Sequence, residues 1–353
     1  MPKKYYSLTN MKATGAQYRM LLGEKSNGKS YAVKSEVIKD AFNEQKKFIY
    51  MRRYREDLKT VDVNAYFEDA PVRDITHHMY ERVIVDKGIL YLANYNEEDD
   101  KFDKGPEIGR CVYLSGYEHF ASQSFLDVYN IVYEEFITQR NYLPNEPAQL
   151  QKMVSTILRD RPGAVYLVGN TINRVCPYFT EWQLTHTIRQ KEGTIEVYNF
   201  HREDGDGEEV ITQVAVERCE SSNSKTNMFF GKTADFIVKG GWETYDKPKK
   251  PDGEFTMLYE VLLEQQGFAF VMQLMVGEDG GQFIYIYPYT YKRNIRRIIT
   301  DRFSTDPFVT ATFNPKIKAE VTMQALIKGK KVCYSDNLTG SDFESVLQSK
   351  RTI

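Results

Sequence analysis

The run Gly23-Glu24-Lys25-Ser26-Asn27-Gly28-Lys29-Ser30 restricts the fold of this chain more than any other stretch, because a loop of the form GxxxxGK[ST] requires a strand before it and a helix after it. The pattern on both sides meets that requirement. Tyr18–Leu22 is apolar enough for a buried strand, and Ser30–Asp40 sets Ala32, Val33 and Val37 on one helical side. In such a loop Gly23 and Gly28 let backbone N–H groups wrap phosphates at the helix N-terminus, where the helix dipole favours negative charge. Lys29 then places an ammonium on the β- and γ-phosphates, and Ser30 offers its hydroxyl to Mg²⁺. Gly23 to Ser30 is therefore the expected ATP-binding segment; a lysine-bearing surface turn is the bland alternative.

A phosphate loop needs a carboxylate at a neighbouring strand end to hold the metal, and a hydrolytic site needs a second acid to take a proton from water. The strand-like Val128–Val132 runs into Glu134 and Glu135, which fit these two roles in that order, although the usual first acid is Asp. Two solvated glutamates at a strand end are the competing reading. A second apolar run, Ala164–Val168, ends in Gly169-Asn170-Thr171, making Asn170 either a sensor of the γ-phosphate or a turn residue closing a strand. Ahead of it, Leu158-Arg159-Asp160-Arg161-Pro162 closes a helical stretch. Arg159 or Arg161 there can either point into a neighbouring subunit's nucleotide or serve as a helix C-terminal cation.

Short apolar runs alternate with helical stretches up to about Phe200, the signature of an α/β domain with a mostly parallel sheet. Further strands are expected at Phe48–Arg52, Val83–Val85, Val112–Leu114 and Ile195–Tyr198. HREDGDGEE and YDKPKKPDGE bracket a change of character, with Val210–Glu220 and Met228–Val238 read as short helices of a linker subdomain. From Phe255 three strand-like runs separated by QQG and EDGG predict an antiparallel meander in an α+β module. A helix follows over Gly340–Lys350, with Ser341 as cap and Phe343, Val346 and Leu347 as its apolar stripe. The expected division is 1–202, 203–252 and 253–353.

Charge excludes one class of partner mechanism: 47 Lys and Arg against 49 Asp and Glu, a net −2, give no global attraction to nucleic acid or to an acidic membrane. Contact with DNA would have to be local. The most basic stretch is Tyr291–Arg297, carrying Lys292, Arg293, Arg296 and Arg297, and a solvated helix face suits it equally well. Cys111, Cys176, Cys219 and Cys333 lack metal-site spacing and read as reduced thiols. The longest apolar run, Phe268–Val276, is half a membrane span and contains Gln273, so a soluble protein with no membrane partner is expected.

The stretches GEKSNGKSYAVK, FIYMRRYREDL, IVYEEFI with NYLPNEPAQL behind it, TILRDRP and GNTINRVCPYF resemble, in order and spacing over about residues 15–180, the genome-packaging ATPases (encapsidation proteins) of small phi29-like tailed phages. The resemblance implies an ASCE-type ATPase using ATP and Mg²⁺. It implies assembly as a ring, pentameric in that family, on the portal of an empty procapsid in the host cytoplasm, pumping double-stranded DNA inward with a structural RNA as a further partner. By position it assigns Lys29 and Ser30 to Walker A, Glu134 and Glu135 to Walker B, Arg159 to a trans-acting finger and Asn170 to the motif beyond. Lys25 stands where that loop often has arginine, Arg55 where a relative has a trans-acting lysine, and Arg140 joins Arg55 as a candidate for trans action or DNA contact. The family's C-terminal domain resembles a ribonuclease H-like nuclease stripped of activity. The dispersed Glu260, Glu264, Asp336 and Asp342 agree with such a loss, since two-metal cleavage needs converging carboxylates. Two other classes remain open on the residues: a kinase-like phosphotransferase and a non-enzymatic portal-binding scaffold.

Overall fold

The computed structural model describes residues 6–349 apart from positions 26, 121, 139–141, 160, 172, 185, 204–206, 221–245 and 291–293. The chain forms two compact units, Met1–Thr138 with Leu143–Ile172 and His186–Gly241, and Gln139–Tyr142 with Asn173–Thr185 and Trp242–Ile353.

The first unit is built on a sheet whose described strands run in the order β3-β4-β5-β2-β6-β7-β1-β9-β8. These are β1 (Tyr18–Gly23), β2 (Lys47–Arg52), β3 (Arg82–Asp86), β4 (Ile89–Asn96), β5 (Lys101–Tyr113), β6 (Val128–Glu134), β7 (Ala164–Asn170), β8 (Thr194–Glu203) and β9 (Glu209–Arg218). All pairings from β5 through to β9 are parallel; β3, β4 and β8 are added antiparallel at the two sides. The mostly parallel sheet expected from the alternating pattern is therefore present. β1, β6 and β7 are buried along nearly their whole length, so their sequences are continuous apolar runs. The helix Lys29–Glu44 lays Val33, Val37, Ile38 and Ala41 into this core, each larger side chain contributing roughly 1.5–3 kcal/mol of burial.

One expected helix is a strand. Val210–Glu220 lies largely in β9, paired parallel to β1 over Tyr18–Leu22 and antiparallel to β8. Its β-branched content was the available signal; burial of both faces at its C-terminal half hid the alternation. The β8–β9 hairpin also straddles the expected 202/203 boundary, while Met228–Val238 lies outside the described residues.

The second unit carries a sheet of order β14-β13-β10-β11-β12-β15 among its described residues. The expected meander is β10 (Phe255–Gln265), β11 (Phe268–Gly277) and β12 (Gln282–Pro288), all antiparallel. β13 (Ile298–Thr300) joins β10 in parallel, β14 (Val309–Thr310) joins β13 in parallel, and β15 (Val332–Tyr334) joins β12 in parallel. The last helix runs Asn337–Ser349, starting before Gly340. Its cap is Asp336, whose carboxylate accepts from the Thr339 N–H at 2.7 Å; Ser341 instead donates back to the Asn337 carbonyl inside the helix.

On this helix Asp342 is buried beside Arg174, 3.4 Å away, and burial outweighs that charge to push its carboxyl up to about 6. A raised carboxyl pKa means that the folded state holds its proton where the unfolded chain has lost it. Stability from this group is present below about pH 4 and declines as pH rises through about 6, by roughly 2–3 kcal/mol in all. Asp342→Asn is expected to remove that decline, so the variant's stability relative to the parent should be about 2 kcal/mol higher at pH 7 than at pH 4.5. Parallel pH profiles in denaturant titrations of the two full chains would refute it.

Candidate functional site

The site sits where the C-terminal ends of β1, β6 and β7 meet, the edge at which parallel sheets bind ligands. Register places Gly23 opposite Asn170 and Glu134 opposite Val168, so the loop, the acid and Asn170 share one end of the sheet. A cavity of about 570 Å³ opens there, lined by Asn27, Gly28, Lys29, Ser30, Tyr31, Lys34, Asp69 and Asn170.

The loop is folded as its glycines require. Gly28 caps the helix with φ +95°, which a residue with a Cβ adopts only under strain, and a Cβ on Gly23 would meet the Asn27 side chain at 2.9 Å. Lys29 is almost wholly buried, donating to the Glu24 carbonyl at 2.6 Å and to Asn27 Oδ1 at 3.1 Å. Burial lowers its pKa from the ordinary lysine value, with Cys219, Glu134 and Glu24 opposing. Asn27 Nδ2 is buried without a hydrogen-bond partner, a donor left for something that enters the loop. Lys25 is exposed on the loop, and Ser26 lies outside the described residues. A buried ammonium, an orphan amide and a left-handed glycine at a helix N-terminus form a donor set suited to polyphosphate.

Glu134 ends β6 in a buried position, accepting a hydrogen bond from the Tyr66 hydroxyl at 2.6 Å. Burial pushes its carboxyl above the usual value, while Tyr66, Ser30, Arg52 and Lys29 pull the other way. Ser30 lies near enough to Glu134 to favour its charged form. Glu135 follows at φ +56°, with an exposed side chain ion-paired to Arg52 at 2.6 Å.

Arg159 is exposed at the C-terminus of the helix Glu146–Leu158, at φ +47°, with Nη2 3.3 Å from the Gln123 carbonyl. Arg161 is different: it donates to the carbonyls of Phe125, Leu126, Ile157 and Leu158 and ties the helix end to the chain before β6. Of the two arginines, the structure makes Arg161 a brace and leaves Arg159 facing solvent. Arg55 is exposed at the start of a short 3-10 turn, Arg55–Leu58, and Arg140 lies outside the described residues.

The basic stretch of the second unit does not survive as a set. Arg297 is buried in a two-pronged ion pair with Glu320 at 2.6 and 2.8 Å, and also donates to Thr310 and the Phe308 carbonyl, so it is a core ion pair and not a phosphate contact. Arg296 is exposed, with its guanidinium 3.8 Å from the centre of the Phe308 ring. Lys292 and Arg293 lie outside the described residues.

Several residues around the site were not found by sequence reasoning. Arg53 lies behind the acids, its guanidinium forked onto the fully buried Glu146 at 2.8 and 2.9 Å and donating to the carbonyls of Glu135 and Phe136. Tyr133 and the Leu143 N–H also donate to Glu146. The Arg52-Arg53 pair at the end of β2, beside β6, was the signal available.

The family model of the podovirus DNA encapsidation protein (Gp16) matches residues 2–201. A DNA packaging protein of Bacillus phage B103 is 28% identical over 175 residues, 48% of this chain and 49% of that protein. A DNA packaging protein of Bacillus phage phi29 is 26% identical over 191 residues, 53% of this chain and 52% of that one. The chain spans about half the length of the curated relatives it matches. Among solved structures, one of the bacteriophage Phi-29 viral genome packaging motor assembly is similar in fold over 98% of this chain and 99% of the other, with 18% identity and a TM-score of 0.54. With more than half of its 353 residues matched by the family model, the chain belongs to the podovirus DNA encapsidation protein family.

Proposed function

We propose that this chain is an ATPase that drives double-stranded DNA into a procapsid, working as a ring of identical subunits docked on the portal. The observation that carries the reading is the cavity at the end of the sheet, lined by the phosphate loop and Asn170, at the same sheet end as Glu134. Lys29 and the loop amides would hold the phosphates and stabilise the charge that develops on them. Mg²⁺, when bound, supplies further positive charge at the transferring phosphoryl group, and Ser30 and Glu134 are the residues that would hold it. Glu135 would take the proton of the attacking water, which requires its pair with Arg52 to open. Asn170 would read the far end of the bound triphosphate. A strand, β7, separates β1 from β6, an order that supports the ASCE type. In the second unit the order β12-β11-β10-β13-β14, with β13 and β14 parallel to β10, supports a ribonuclease H-like fold. A binding role without nuclease activity is proposed for this unit from the dispersal of Glu260, Glu264, Asp336 and Asp342 along the sequence. The pentameric number, the structural RNA, cytoplasmic assembly and the division into ATPase, linker and binding domains belong to the same proposal. Among the described residues no helix is long and apolar enough to cross a membrane.

The test is ATP turnover by the purified full chain with and without double-stranded DNA. Lys29→Ala is expected to fold and to lower turnover by roughly 10²–10³-fold, because the lost ammonium serves the phosphates. DNA-stimulated hydrolysis retained in that variant would sink the assignment. Phosphoryl transfer to a small acceptor, with no response to DNA, would favour the kinase-like class.

A further inference from the structure

Glu134 is one methylene longer than the aspartate that usually holds the metal in phosphate-loop enzymes, and its extra torsion must be fixed if the carboxylate is to present one orientation. The structure contains the device. Tyr66, on the helix Thr60–Phe67, donates its hydroxyl to Glu134 Oε1 at 2.6 Å. The Tyr66 ring is itself held: Tyr50 lies 4.7 Å from it and Phe67 4.9 Å, centre to centre, and Lys34 Nζ sits 4.5 Å over its centre. Lys34 is buried, and its ammonium is fixed by the Tyr66 carbonyl at 2.6 Å and by Asp69. Lys34 and Asp69 both line the cavity.

We propose that Tyr66 is a positioning residue for the metal carboxylate, tying one oxygen of Glu134 so that the group faces Ser30 in a single orientation. This rests on the phosphate-loop reading. Tyr66 touches neither loop nor phosphate in this role; it acts through Glu134, and Lys34 clamps it from the cavity side. Partners of metal ligands of this kind typically change metal affinity by about 10–100-fold.

The experiment measures Mn²⁺ binding to the full chain by electron paramagnetic resonance, with a non-hydrolysable ATP analogue present, and separately binding of the analogue in chelator. Tyr66→Phe is expected to weaken Mn²⁺ about 10–100-fold while metal-free analogue binding stays within about twofold. In a Glu134→Gln background the same change should add nothing, since its effect passes through that carboxylate. Mn²⁺ affinity unchanged by Tyr66→Phe, or lowered equally in the Glu134→Gln background, would overturn the inference. If Tyr66→Phe does not fold, Glu134→Asp answers the same question: a carboxylate one methylene shorter loses its 2.6 Å hold on the Tyr66 hydroxyl, and Mn²⁺ binding should weaken. Equal or tighter binding in that variant would overturn it. A parent chain that binds no Mn²⁺ with the analogue would overturn the phosphate-loop reading itself, a failure distinct from the others.

Discussion

Arg159→Gly is expected to lower DNA-stimulated ATP turnover about 10³–10⁵-fold while leaving the fold as stable as the parent or about 1 kcal/mol more stable. The two effects have opposite signs because they come from different atoms. The backbone at 159 is left-handed, φ +47°, at a helix C-terminus where glycine is the favoured residue. An arginine there carries strain that its side chain does not repay locally, since the guanidinium reaches the Gln123 carbonyl only at 3.3 Å. Strain alone does not mark function, because Gln45 at the end of the helix Lys29–Glu44 and Gln266 at a hairpin turn share the conformation. What sets Arg159 apart is an exposed charge, which we propose would reach the next subunit's nucleotide in the ring. In a ring every interface uses the same arginine, so an exchange experiment isolates it. Mixed with Glu135→Gln protein, Arg159→Gly subunits should recover measurable hydrolysis, since some interfaces then join an intact Arg159 to an intact Glu135. Mixed rings shown to co-assemble yet inactive would return Arg159 to the role of a helix-terminal cation.

Arg53→Met is expected to destabilise the first unit by about 3–5 kcal/mol, the largest stability effect of any single change near the site. Glu146 is fully buried, and without Arg53 its carboxylate keeps only the Tyr133 hydroxyl and the Leu143 N–H among the contacts described above. The carbonyls of Glu135 and Phe136 lose a charged donor at the same time. Arg53→Met combined with Glu146→Met should recover part of the loss, because the double variant no longer buries a carboxylate that has lost its guanidinium, while the carbonyls of Glu135 and Phe136 still lack that charged donor. Urea denaturation of the single and double variants measures both quantities. A single variant within about 1 kcal/mol of the parent would show that the pair is not the structural anchor its burial implies.

Much of the site was legible because it is local. The phosphate loop is eight consecutive residues whose conformation depends on its own glycines and the helix that follows. Glu134, Glu135 and Asn170 could be marked from the ends of two continuous apolar runs, and the structure brings all three to one end of the sheet with the loop. The meander beginning at Phe255 was equally plain, since its turns carry glycine where positive φ is needed.

What the chain could not disclose by local pattern depends on neighbours far away in sequence. The choice between Arg159 and Arg161 turns on which carbonyls the 125–126 segment presents to the helix end, and no spacing encodes that. Arg297 looked like one member of a basic run until Glu320, 23 residues on, proved to be its buried partner. Tyr66 and Lys34 had no motif to announce them, because Tyr66 reaches Glu134, and Lys34 reaches Tyr66, only when three separate elements pack. β9 was misread for a related reason: its C-terminal half is covered on both faces, so the alternation that marks a strand is lost there, and pairing with β1 and β8 shows what its β-branched residues only hinted. The sequence by itself determined the loop, the acids and the order of alternating elements, all set by short-range geometry and apolar pattern. Tertiary packing alone decided which charges are buried and paired and which face solvent, because desolvation and hydrogen-bond partners exist only once distant segments meet.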